Sequence, residues 1–255
     1  MTQNAWIYAP APNPSARARM LCFPPAGGGP VMFRTWPRAL PDGLEVLGVR
    51  IPGRESRWTD SLYADWPGLI ADAVDALEPV LDLPYVLYGH SFGGMLAYEF
   101  ARALQSRGIP APQMLVIAAC RTPHFAPQTR VPWDGTSDEL WHWVAAMNGT
   151  PAAVLDEVAF RAVLEPALRA DLRLAQLWRN DAAVRIDAPI VTFGASGDAV
   201  VPPHHLEGWK AYTSLGYEHV TFAGGHFFPQ EHESLLLDRL AGICRAALSI
   251  ASVPC

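Results

Sequence analysis

Three residues in this chain are of the types, and in the order, that could transfer an acyl group: Ser91, Asp198 and His226. A serine hydroxyl attacks a carbonyl when a histidine takes its proton, and the histidine needs a carboxylate to fix its tautomer and stabilise the imidazolium. Ser91 stands in Gly89-His90-Ser91-Phe92-Gly93, a G-x-S-x-G pentapeptide between an apolar run at 84–88 and a helical pattern at 95–104. The two glycines remove side chains where a sharp turn presses strand against helix. The serine backbone can then take a strained conformation, with its hydroxyl projecting into a cleft.

The chain has eight histidines, so the base must be chosen among them. His90 adjoins the serine and points away from it, as a packing or oxyanion-loop residue. His204 and His205 open a helix as surface or capping groups, His124 and His142 fall in a helical insertion, His219 lies in a strand, and His232 follows a helix start. Only His226, after Gly224-Gly225 and a late strand, stands in a loop that can swing a ring over the cleft. Asp198 follows a strand and Gly197, whereas the competing Asp181 and Asp187 precede that strand and belong at the opposite edge of the sheet. The order Ser91, Asp198, His226 is that of the α/β-hydrolases.

An attacked carbonyl also needs donors for its developing negative charge. The stretch Pro24-Pro25-Ala26-Gly27-Gly28-Gly29 follows the strand 20–23, and no lysine with serine or threonine comes after it, so it does not read as a phosphate loop. It fits an oxyanion hole, with one backbone N–H from Ala26 and the other from Phe92.

The elements that must position these residues alternate. Strands are expected at 20–23, 45–51, 84–88, 114–119, 190–194 and 219–222, after an extended arm at 1–19. Helices are expected at 64–81, with the acids Asp65, Asp72, Asp75 and Glu78 on a solvated face, then from 95 to a C-cap near Gly108, at 203–213 and at 231–250. Residues 54–58 read as a polar loop. Between 121 and 181 the alternation stops, and helical patterns at 138–147, 154–160 and 161–178 carry Phe125, Trp133, Trp141, Trp143, Met147, Phe160, Leu164, Leu168, Leu172 and Trp178. This stretch predicts a helical lid whose large side chains divide between a small core of its own and a tunnel for an acyl chain. The fold class is therefore α/β, an α/β-hydrolase fold with a mostly parallel central sheet and helices on both faces. One domain spans 1–255, and the lid insertion is 121–181.

Composition narrows the function. A chain of 255 residues, half of them hydrophobic, can bury a core without crosslinks, and a net charge of −6 with no basic stripe excludes a nucleic-acid partner. Cys22, Cys120, Cys244 and Cys255 lie far apart and read as thiols in a reducing cytoplasm. No cofactor and no metal is expected. Residues 1–14 lack a basic stretch followed by an apolar core, and no run of about 18 apolar residues occurs, so neither secretion nor membrane spanning is expected.

Five segments in order carry a family resemblance: Cys22-Phe23-Pro24-Pro25-Ala26-Gly27-Gly28-Gly29, Ile51-Pro52-Gly53-Arg54-Glu55, Gly89-His90-Ser91-Phe92-Gly93-Gly94, Pro166-Ala167-Leu168-Arg169-Ala170-Asp171 and Gly225-His226-Phe227-Phe228. Together they resemble the type II thioesterases of polyketide synthase and nonribosomal peptide synthetase pathways, with Pro25 and Phe92 departing from that family's common residues. The resemblance implies hydrolysis of acyl thioesters on the phosphopantetheine arm of an acyl carrier protein or peptidyl carrier protein, by a cytoplasmic monomer. The residues alone reach a serine hydrolase of an acyl compound, which leaves open a small-molecule carboxylesterase or a hydrolase-like binding protein. Residues 1–60 hold seven arginines against Asp42, Glu45, Glu55 and Asp60, a local balance of +3 that could face an acidic carrier.

Overall fold

Strands buried on both faces need apolar side chains at successive positions, and the central strands here have them. In the computed structural model, which describes residues 4–127, 130–179 and 183–250 and leaves the Ile250 side chain aside, β2 is Ala18–Phe23 and β4 is Tyr85–His90. Leu21, Phe23, Tyr85 and Leu87 enter one core, while Met20, Cys22, Val86 and Tyr88 enter the core on the opposite face.

The strands β1 (Ile7–Tyr8), β3 (Leu44–Val49), β5 (Met114–Ala118), β6 (Ile190–Ala195) and β7 (Tyr217–Phe222) complete a sheet of order β1-β3-β2-β4-β5-β6-β7. All pairings are parallel except that of β1, which runs antiparallel to β3. The arm is thus not merely extended: residues 7 and 8 form an edge strand, with Ile7 opposite Val49. Strand order reverses between β2 and β4, so their carboxyl ends frame a crevice, the place where open α/β sheets bind ligands.

Helices α1 (Trp66–Leu77) and α2 (Phe92–Ser106) cover one face of the sheet. The first buries Leu69, Ala73, Val74 and Leu77. Asp65, expected on a solvated face, is its N-cap, its carboxylate accepting from the Gly68 N–H at 2.9 Å. After α2 comes Gly108 with φ +70°, the left-handed residue that ends many helices.

Between β5 and β6 lie α3 (Ser137–Ala146), α4 (Ala152–Leu155) and α5 (Val158–Leu177). Leu140, Trp141, Val144, Leu168 and Leu172 make a separate small core there. Trp178 instead belongs to the main core, Phe125 stacks on His205, and Phe160 is exposed. The carboxyl end of α5 is held by Arg121, whose guanidinium donates to the carbonyls of Ala175 at 2.9 Å and Trp178 at 3.1 Å. The far end of the expected insertion, including Asp181, lies outside the described residues.

The expected helix at 203–213 is a single turn, α6 (Pro203–Leu206), running into a 3-10 segment at Glu207–Tyr212, and His205 in it is buried rather than on the surface. The last expected helix is divided at His232 into α7 (Phe228–Glu231) and α8 (Glu233–Ile250). The latter covers the second face of the sheet with Leu236, Leu237, Leu240, Ala241 and Cys244.

Leu87, fully buried at the centre of the sheet, has no room to be shortened without leaving a void. Leu87→Ala should cost about 2–5 kcal/mol of stability, seen as a lower urea midpoint with an unchanged slope.

Candidate active site

Ser91 occupies the turn between β4 and α2 with φ 54° and ψ −116°, a backbone conformation that L residues rarely adopt. Its N–H donates to the Ala118 carbonyl at 2.8 Å, which ties the turn to β5. A Cβ at Gly89 would lie 2.2 Å from the Gly93 carbonyl oxygen, and one at Gly93 would lie 2.1 Å from the Phe23 carbonyl oxygen. Both glycines are therefore required by closeness of backbone to backbone.

The loops after β6 and β7 are joined by hydrogen bonds from Ser196 N–H to the Phe222 carbonyl and from Gly197 N–H to the Gly224 carbonyl, each 3.0 Å. They bring Asp198 and His226 together. Asp198 Oδ2 accepts from His226 Nδ1 at 2.9 Å, and His226 Nε2 lies 2.9 Å from Ser91 Oγ, placed to accept its proton. The other carboxylate oxygen, Oδ1, accepts from the amides of Val200 at 2.8 Å and Val201 at 2.9 Å. Burial pushes the Asp198 carboxyl up, but the hydrogen bond and charge of His226 and these two amides outweigh it and hold the group below its ordinary value. Asp187 lies elsewhere, before β6, where its carboxylate accepts from the Ser214 hydroxyl.

His90 does not reach Ser91. Its ring points to the other side of the strand, where Nε2–H donates to the His226 backbone carbonyl at 2.9 Å and Nδ1 has no protein partner. The residue before the serine thereby anchors the loop that carries the proposed base, a role its position in the pentapeptide did not reveal. Full burial and the nearby His226 push the His90 imidazole down to about 3, against partial support from the His226 carbonyl and Asp198, so the ring is neutral.

The glycine-bearing loop after β2 lies across the crevice. Gly28 N–H closes a turn onto the Pro25 carbonyl at 2.9 Å, and Gly27, at φ +69°, donates to Asp171 of α5 at 2.8 Å. Among the described residues neither the Ala26 nor the Phe92 N–H has a hydrogen-bond partner, so both are available to an incoming oxygen. Arg54, expected in a polar loop, is instead buried and paired with Asp171.

Two cavities meet at Ser91 and His226. The larger, about 290 Å³, is lined by Ala26, Met32, Trp143, Met147, Leu164 and Phe227 among others. The smaller, about 80 Å³, continues past Met95, Arg121, Val131 and Val201. Trp143 and Leu172, like Ser91 and His226, line both. The walls are mostly apolar, with Thr150 and Gln230 in the larger cavity and Arg121 and Gln176 in the smaller, so the arrangement can hold an acyl chain with its carbonyl beside the serine.

Residues 18–248 match the family of the thioesterase domain. The gramicidin S biosynthesis protein GrsT of Aneurinibacillus migulanus is 26% identical over 247 residues, covering 96% of this chain and 96% of its own length. The medium-chain S-acyl fatty acid synthase thioesterase of Homo sapiens is 31% identical over 221 residues, covering 85% of this chain and 82% of its own. Among solved structures, the RedJ thioesterase from the prodiginine biosynthetic pathway in Streptomyces coelicolor superposes with a TM-score of 0.83 at 31% identity, covering 95% of this chain and all of that one.

A neutral buried His90 has a consequence for acid stability. Unfolded, it binds its proton near the ordinary 6.5; folded, only near about 3. In that interval the unfolded chain holds more protons, so stability falls as pH drops from 6.5 toward 3. His90→Gln, which keeps a donor for the His226 carbonyl and cannot titrate, should flatten this fall in urea midpoints measured between pH 7 and pH 4.

Proposed function

The chain belongs to the thioesterase domain family, and we propose that its thioester hydrolysis runs through Ser91 as nucleophile, His226 as base and then acid, and Asp198 as the carboxylate that orients His226. It resembles the type II thioesterases of polyketide and nonribosomal peptide pathways. The observation that carries the reading is the continuous chain of hydrogen bonds from Asp198 through His226 to Ser91 Oγ, both links 2.9 Å, at the mouth of an apolar cavity.

The chemistry follows from that chain. Ser91 Oγ attacks the thioester carbonyl as its proton passes to His226 Nε2, and the negative oxygen is received by the N–H groups of Ala26 and Phe92. Collapse of the tetrahedral adduct breaks the carbon–sulfur bond, and His226 returns the proton to the departing thiolate. A water then gives its proton to His226 and attacks the acyl ester, releasing the carboxylic acid and regenerating the serine hydroxyl. The helices within 121–181 act as a lid on a single domain, covering the acyl chain. The substrate is an acyl group on the phosphopantetheine arm of an acyl carrier or peptidyl carrier protein, removed by a cytoplasmic monomer to clear a stalled assembly line. Consistent with a protein not embedded in a membrane, no described helix is long and apolar enough to cross one.

The docking face for the carrier is narrower than the arginine count of residues 1–60 implies. Arg19, Arg50, Arg54 and Arg57 are paired with carboxylates within the chain. Arg34 and Arg38 are exposed and have no side-chain partner among the described residues. Arg34 and Arg38 follow Met32, which lines the larger cavity, by two and six residues in the chain, so an acidic carrier seated on them would dock on the segment that borders the entrance.

Ser91→Ala and His226→Ala should each lower kcat by about 10⁴–10⁶, and the double variant by little more, because the groups act as a unit. Retention of a tenth of the turnover on an acyl-loaded carrier protein by either variant would remove the assignment. Reversing Arg34 and Arg38 to glutamate should lower kcat/KM for the carrier-bound acyl group and not for the same acyl group on a small thiol. The selective loss should shrink as salt rises; equal losses on both substrates would place docking elsewhere.

A further inference from the structure

Three of the sequence segments singled out above meet at one buried point. Arg54 and Asp171, 117 residues apart, form a two-pronged ion pair: Nη1 to Oδ2 at 2.7 Å and Nη2 to Oδ1 at 2.9 Å. Both side chains are almost wholly buried, at 3% and 4% exposure. Each also holds the glycine-bearing loop. Asp171 Oδ2 accepts from the Gly27 N–H at 2.8 Å, and Arg54 Nη1 donates to the Gly28 carbonyl at 3.1 Å. Arg54 Nε and Nη2 also donate to the Pro52 carbonyl, both at 3.3 Å.

Helix α5 bears on the same place sterically. A Cβ on Gly27 would lie 3.0 Å from Leu168 Cδ1, and Leu168 and Asp171 are one turn apart on α5. The peptide between Ala26 and Gly27 is therefore fixed from one side, by a carboxylate that engages its N–H. That leaves the preceding N–H, on Ala26, without a protein partner, on a residue that lines the cavity that holds Ser91. An ion pair removed from water is seldom a net source of stability, because desolvation offsets its attraction. Its geometric effect is independent of that balance.

We infer that Arg54 and Asp171 are positioning residues for the reaction: they orient the Ala26 N–H as an oxyanion donor by fixing the loop at Gly27 and Gly28. Without the Asp171 carboxylate on its N–H, Gly27, a residue free to rotate, no longer fixes its neighbour. The inference rests on the proposed role of Ala26 and Ser91.

The test pairs two variants with two readouts. Arg54→Met combined with Asp171→Leu removes both charges together, so that no ion is left buried alone, and Arg54→Lys keeps the charge while losing the two-pronged geometry. For each, kcat and KM on an acyl thioester of a small thiol are measured, with the inhibition constant of an alkyl trifluoromethyl ketone, whose serine adduct carries the same negative oxygen. Loss of one well-aimed oxyanion donor lowers kcat about 10²–10³-fold. The double variant should lose about 10–100-fold in kcat with KM within about threefold, and bind the ketone more weakly by a similar factor; Arg54→Lys should show a smaller loss of the same kind. Folding is followed by thermal melting, and if the double variant does not fold, Arg54→Lys is judged by the same criteria. A folded variant with kcat and ketone affinity within twofold of the parent overturns the inference, as does a raised KM with unchanged kcat. A lower kcat with unaltered ketone affinity also overturns it. Ser91→Ala, measured in parallel, separates the cases: if it retains turnover, the proposed reaction itself falls, whereas an inactive Ser91→Ala beside an unimpaired double variant removes only this inference.

Discussion

The side-by-side pairing of β2 and β4, with Phe23 opposite Gly89, is the constraint from which the site follows. Two parallel strands in this register end at the same level, so the chain leaving each must turn at the same edge of the sheet. One turn becomes the elbow of Ser91 and the other the loop of Ala26. They approach so closely that Gly93 of the first has no space for a side chain against Phe23 of the second. The farther strands β6 and β7 end at that edge too, and their loops deliver Asp198 and His226. Because parallel pairing fixes all these ends together, the groups that must lie within hydrogen-bond distance are set by the most deeply buried part of the protein and not by flexible connections.

Much of this was legible in the sequence. The unbroken apolar runs gave the buried strands, the glycines around Ser91 marked a close approach of backbone to backbone, and those before His226 marked a loop, which Gly224 enters at φ +92°. What the sequence did not disclose has a common physical character. Arg54 and His205 are polar residues buried by partners far away in the chain, and a polar residue in a loop or at a helix start looks like a solvated one until its partner is placed; the partners of His90 and Asp171 are equally remote in sequence. Asp65 is exposed, as a residue of a solvated face should be, and in addition caps its helix, which a periodic pattern does not show. The breaks at Leu206 and His232 were hidden for a different reason: apolar spacing continues through a 3-10 turn or a single irregular residue, although the hydrogen bonding does not.

The long helix α5 has two unlike halves. From Ala167 onward it presents Leu168, Asp171, Leu172 and Leu174 to the body of the protein, and Arg121 holds its last carbonyls. Before that, Val158, Phe160 and Val163 are exposed. Pro166 lies at the boundary, and with no N–H to give to the preceding turn it weakens the helix where its surroundings change. A second half packed on the body and a first half with apolar residues in solvent suit an element anchored at one end that covers a cavity with the other.

The three described cysteines have a bearing on what the protein tolerates as it works. Cys22, Cys120 and Cys244 are buried and unpaired, and burial in apolar surroundings pushes each thiol up, the latter two to about 12. Since disulfide exchange requires a thiolate with access to its target, these sulfurs are inert toward other sulfur compounds. A thioesterase liberates a free thiol at every turnover. None of these three cysteines can be drawn into mixed disulfides with the thiol it has just set free, nor can they add to the colour when that thiol is counted with a chromogenic disulfide reagent.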